Sequence, residues 1–137
     1  QSIGPFTSNV HIGTRWPAHA TVIGQLILSR LPESEVIKRY DNFTDWKVYS
    51  ERTPCDIGSL MARLSEVRKQ PVMVSWGHFN TDMAACAAPI YSQATQEVAA
   101  VISVSCPLST YSEDEFRSDV AQNVIEYANK ISKFIYI

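Results

Sequence analysis

Two apolar runs of strand length, Ala85–Tyr91 (ACAAPIY) and Val98–Pro107 (VAAVISVSCP), are joined by the short polar stretch Ser92–Glu97 (SQATQE). Runs of this length, bounded by turn chemistry and rich in β-branched residues in the second, read as an antiparallel hairpin at the centre of a sheet. Strand side chains alternate. Ala100, Ile102 and Val104 therefore share one face, suited to a core, while Val101, Ser103 and Ser105 share the other and set two hydroxyls on an apolar floor.

Around this hairpin the chain supplies helices. Residues 1–9 lead into a short strand at Val10–Ile12, and Gly13–Pro17 turns the chain. From about Ala18 the residues Val22, Ile23, Leu26, Ile27 and Leu31 fall at helical spacing, with Gly24 among them implying a close backbone approach. Pro32 ends that run and opens a short helix to about Asn42; residues 43–52 are irregular and aromatic. Thr53, Pro54 and Asp56 predict a helix start, followed by the stripe Ile57, Leu60, Met61, Leu64 and Val67 with Arg63 outside it. Pro71 leads into the strand VMVSW, and residues 77–84 connect it to the hairpin. Ser112 and Glu115 form an S-x-x-E capping box opening the longest helix, with Phe116, Val120, Val124, Tyr127, Ala128, Ile131 and Ile135 as its buried stripe. The pattern predicts an α+β fold, a mainly antiparallel sheet with helices packed on its faces.

Bulk properties exclude several classes. A length of 137 residues suits one domain with its own core. Twelve Lys+Arg against 14 Asp+Glu, with no basic block, argue against nucleic-acid binding by this segment. No apolar run reaches membrane-spanning length. Cys55, Cys86 and Cys106 lack the spacing of a zinc site or a disulfide framework and read as reduced thiols of a cytoplasmic protein. His11, His19 and His78 show no paired metal-ligand spacing; His19 reads as a structural hydrogen-bonder and the other two as solvent-facing. No cofactor motif is present.

Four stretches in register resemble the effector-binding domain of the IclR family of bacterial transcriptional regulators: GTRWPAHATVIGQL, LSEVRKQPVMVS, AACAAPIY and VAAVISVSCP. The resemblance covers nearly the whole of residues 1–137, read as a single effector-binding domain. It implies a GAF-like fold that binds a small metabolite, usually an organic acid, and forms a homodimer or homotetramer. DNA would be held by a separate N-terminal winged helix-turn-helix, absent here along with the first helix and strands of the family domain. By the same resemblance, backbone at Val22 and Ile23 together with Ser103 and Ser105 holds the polar end of the ligand. Ser75 and Ala85 line the pocket, and Trp76 or Met61 touches its apolar part. Ser75 stands where acid-binding members carry Asp, which removes a charge that would repel an anion.

Three function classes follow. The favoured one is a non-catalytic metabolite sensor with no catalytic residues. The second is a dimerisation module whose pocket is vestigial, for which bulky Val22 and Ile23 speak. The third, a small Ser/Cys-His hydrolase, lacks a G-x-S-x-G elbow.

Overall fold

The computed structural model describes residues 10–137. The leading segment 1–9, expected to run into a strand, lies outside the described residues. Val10–Ile12 itself forms no strand; its backbone passes into a turn in which the Thr14 N–H donates to the His11 carbonyl at 3.0 Å.

Helix α1 spans Val22–Ser29, α2 spans Glu33–Arg39 and α3 spans Ile57–Arg68. Strands β1 (Met73–Trp76), β2 (Met83–Tyr91) and β3 (Val98–Pro107) follow. A single turn, α4 (Glu113–Glu115), passes through a π-helical stretch (Phe116–Val120) into α5 (Ala121–Ser132). The three strands form one antiparallel sheet in the order β1-β2-β3. Met73 pairs with Ala87, Ser75 with Ala85, Ala85 with Ser105 and Ala87 with Ser103.

The α+β expectation holds, as do the hairpin and its second strand. Ser92 makes the connection: its hydroxyl accepts from the Ala94 and Thr95 amides (3.1 and 3.3 Å), and Gln96 adopts a left-handed backbone (φ 60°). On one face of the sheet Ala84, Cys86, Ala88 and Ile90 pack under Phe116, Ala121, Val124 and Ala128. On the other, Val22 and Leu26 of α1 meet Val67, Met73 and Ala87. A third cluster, Leu28, Val36, Leu60 and Leu64, joins the three N-terminal helices.

Several boundaries depart from expectation. Helix α1 starts at Val22 rather than Ala18, because Thr21 caps it by accepting from the Gly24 amide at 3.3 Å. Helix α3 is capped by Asp56, which accepts from the Ser59 amide at 2.6 Å while the Ser59 hydroxyl accepts from the Asp56 amide at 3.2 Å. Thr53 instead accepts from the amides of Tyr49 and Ser50 and ties the preceding loop. The Ser112–Glu115 capping box is present in both directions. Beyond it the buried positions step by five from Phe116 to Ala121, whose amide donates to the Phe116 carbonyl. That π step rotates the helix, so Tyr127 and Ile131, expected inside, are exposed; Ala128 is buried as expected, and Ser132 joins it.

Gly24 sits where a Cβ would lie 2.4 Å from both the Cα and the carbonyl oxygen of Ala18, so α1 rests directly on the preceding turn. Alanine gains up to about 1 kcal/mol of helix propensity over glycine. Here backbone would have to move, and overpacking of this kind costs roughly 1–3 kcal/mol. Gly24→Ala is therefore expected to lower the urea midpoint, against its propensity; an unchanged or raised midpoint would show that the turn yields freely.

Candidate functional site

Register places the expected ligand residues on one side of the sheet. Ser75, Ala85 and Ser105 form a row across β1, β2 and β3; Ser103 sits two residues along, opposite Ala87. This is the face that α1 covers. Ser75 is buried, whereas Ser103 and Ser105 lie exposed toward the open edge of the sheet. Neither of those two hydroxyls makes a side-chain hydrogen bond among the described residues, so both donors and acceptors are unspent. The Ser75 hydroxyl accepts from the His78 amide at 3.3 Å and keeps its own proton free to donate.

Helix α1 brings its start to the same face. Thr21 takes up the Gly24 amide, which leaves the first-turn amides of Val22 and Ile23 without intrahelical partners. The Val22 side chain is buried against Met73 and Ala87, while that of Ile23 is exposed. Met61 does not join this group; it packs beside Leu28, Leu60 and Leu64 among the helices. Trp76 does not join it either. It follows Ser75 in the strand, so it faces the opposite way and meets Phe116 with ring centroids 5.8 Å apart.

Sequence reasoning missed the charges that border the face. Arg63, placed outside the α3 stripe by periodicity, is half-buried, and its Nε donates to Gln25 Oε1 at 3.2 Å. Gln25 is itself buried and donates through Nε2 to the His19 carbonyl at 2.7 Å. His78, expected in solvent, is also half-buried: its carbonyl accepts from the Ser50 hydroxyl at 2.5 Å and its amide donates to Ser75. Gly77, with φ 71° and a Cβ position 3.1 Å from the Thr81 carbonyl, makes this turn possible. Burial holds His78 below the usual imidazole range, and the fields of Arg52, Arg63 and Arg117 push the same way against Glu113.

His19 behaves as expected of a structural residue. It is buried, its Nε2 lies 3.1 Å from the Lys47 carbonyl, and it packs edge-on against Trp46. Burial pushes the Cys86 thiol up to about 11, so Cys86 supplies no thiolate nucleophile near neutral pH. No group of three or more His, Cys, Asp or Glu side chains suited to a metal ion occurs among the described residues. A cleft of about 630 Å³ lies elsewhere, lined by Arg15, Trp16, His19, Tyr40, Phe43 and Lys47 among others. Its aromatic walls close partly on one another, with Tyr40 stacked on Trp46 and Phe43 edge-on to both.

Because the folded state disfavours the His78 imidazolium, the unfolded chain binds that proton more readily. Stability owed to neutral His78 is present above about pH 6.5 and is lost as the pH falls below it. His78→Gln is expected to flatten the dependence of the urea midpoint on pH between 7 and 5; a parallel curve would show that other groups carry that dependence.

Residues 5–133 match the family profile described as bacterial transcriptional regulator IclR C-terminal. The chain is 33% identical over 107 residues to the HTH-type transcriptional repressor AllR of Salmonella paratyphi A, a stretch covering 78% of this chain and 39% of that protein. The chain thus spans well under half the length of the curated relatives it matches. Among solved structures, one from Rhodococcus sp. RHA1, described as a transcriptional regulator, superposes with a TM-score of 0.83 at 28% identity, covering 95% of this chain and 52% of the other. The inducer-binding domain of PobR from Acinetobacter shares the fold with a TM-score of 0.82 at 22% identity, covering 94% of this chain and 75% of that one. Sequence motifs, sheet order and these matches agree that the chain belongs to the IclR family of bacterial transcriptional regulators and forms its C-terminal effector-binding domain, in a family of regulators rather than enzymes.

Proposed function

We propose that the α1-covered face of the sheet is the effector site of a cytoplasmic regulator, and that it takes a small organic acid. The observation that carries this reading is the set of unspent polar groups on one face. Ser103 and Ser105 have free hydroxyls, Ser75 has a free donor, and the Val22 and Ile23 amides stand at the helix start beside them. A carboxylate accepts several such bonds at once, each contributing roughly 0.5–1.5 kcal/mol net, and the helix start adds a favourable field. The acid-bound state of the PobR domain, a complex with 3-hydroxybenzoic acid, supports the ligand class by likeness of fold.

In the whole protein the effector would act through a separate winged helix-turn-helix that holds the DNA. Binding can change DNA affinity only if the acid prefers one arrangement of the domains over another, in a homodimer or homotetramer. Among the described residues no helix is long and apolar enough to cross a membrane.

One observation favours a second reading, a dimerisation module with a filled pocket: the Val22 side chain packs down onto Ala87 and Met73. The two readings separate on ligand-linked stability. An acid held at 100 times its dissociation constant adds about 2.7 kcal/mol. A thermal-shift series with small monocarboxylates, 3-hydroxybenzoate and pyruvate among them, is expected to stabilise the wild type. The double substitution Ser103→Val and Ser105→Val should fold normally, since both sites are exposed strand positions that suit valine, yet lose the shift. A shift retained in full would remove the two serines from the site, and none in the wild type would favour the filled pocket.

A further inference from the structure

We propose that Arg63 is the counter-ion for the ligand's carboxylate, so that this site selects anions over neutral compounds of the same shape; the assignment rests on the effector-site reading above. Placement follows from chain geometry. Val67 of α3 and Met73 of β1 share one cluster beneath α1, and the chain turns between them. One helical turn back from Val67 is Arg63, a rise of about 6 Å. Two residues on from Met73 is Ser75, a rise of about 6.8 Å. Both steps lead away from the turn, which brings Arg63 level with Ser75, at the end of the row that continues through Ala85 to Ser105.

Arg63 keeps most of its donors unspent within the fold. Its one side-chain hydrogen bond runs to Gln25, a neutral amide on the adjacent turn of α1, and it forms no ion pair among the described residues. Glu66, the acid nearest along its own helix, is held by Lys69 at 3.0 Å. Ser75 brings no charge. Arg52 adds to the positive field instead of relieving it, and burial together with Arg52 depresses the Arg63 guanidinium below its ordinary range, with Glu66 opposing. A half-buried cation with four guanidinium N–H donors left over is matched by a planar carboxylate that accepts from the fork and from the serines together.

The test compares acids with their neutral amides: 3-hydroxybenzoate with 3-hydroxybenzamide and pyruvate with pyruvamide, titrated calorimetrically into the wild-type chain, Arg63→Gln and Arg63→Lys. The wild type is expected to prefer the acid. Arg63→Gln should lose about 10- to 100-fold in acid affinity with little change for the amide, and Arg63→Lys should recover part of the loss. A general loosening of the fold would weaken acid and amide alike, so the ratio between them isolates the charge. Acid preference kept intact in Arg63→Gln, but abolished by the paired serine substitutions, overturns the role of Arg63 and leaves the site standing. Equal or weaker acid binding than amide binding in the wild type overturns the counter-ion role. No binding of any of the four compounds to the wild type overturns the site and the role together.

Discussion

Everything in this domain depends on β2 being narrow. Ala84, Ala85, Ala87 and Ala88 occupy four of its nine positions, and among the described residues it alone has strand partners on both edges. Small side chains let helices approach both faces of the sheet without forcing the strands apart. Cys86, Ala88 and Ile90 receive α5 from one side while Ala87 receives Val22 and Leu26 from the other. A strand buried on both faces must also satisfy its backbone, and the ladders to β1 and β3 do most of this, with the Ser132 hydroxyl accepting from the Tyr91 amide beyond the reach of β1. The hydroxyls of the face under α1 are then displaced to the flanking strands, where Ser75 and Ser105 sit on either side of Ala85.

Much of this was legible in the residues because the signals were local. Ser112 and Glu115 cap a helix through bonds three residues apart, and Val98–Pro107 declares a strand by its composition. Trp76 could have been read correctly as well: adjacent strand residues point to opposite faces, so beside a site-facing Ser75 it had to look toward Phe116. Other features depend on distant partners. Thr53 and Asp56 both look like caps, and only the fold shows Thr53 spent on the Tyr49 and Ser50 amides. Arg63 follows Leu60 by three residues and directly precedes Leu64, at the edge of their stripe, and its bond needs Gln25 from another helix. The π step at Phe116–Val120 hides for the same reason, since a 3.6-residue period accommodates Tyr127 and Ile131 as well as the observed face.

The N-terminal helices show why the site can be polar without weakening the domain. Leu28, Val36, Leu60 and Leu64 hold α1, α2 and α3 in a cluster of their own. Arg30 bonds the carbonyls of Arg68 and Gln70 at 2.7 Å, and Arg68 Nε returns a bond to the Ser29 carbonyl at 2.7 Å. Carbonyls at helix ends carry partial negative charge, so this exchange of arginines locks α1 to α3 at their C-terminal ends. The start of α1 is left to position Thr21 and Val22, while Arg63 projects from the middle of α3.

Free side-chain donors are informative for what they could hold. Arg39 is held by Glu35 and Arg117 by Glu113. Arg63 bonds only the neutral amide of Gln25, and the exposed Ser103 and Ser105 hydroxyls bond no protein group among the described residues. Each alone has a dull explanation in side-chain freedom at a partly exposed position. Together they require three independent omissions to coincide in one place, whereas a single anionic occupant would satisfy them all.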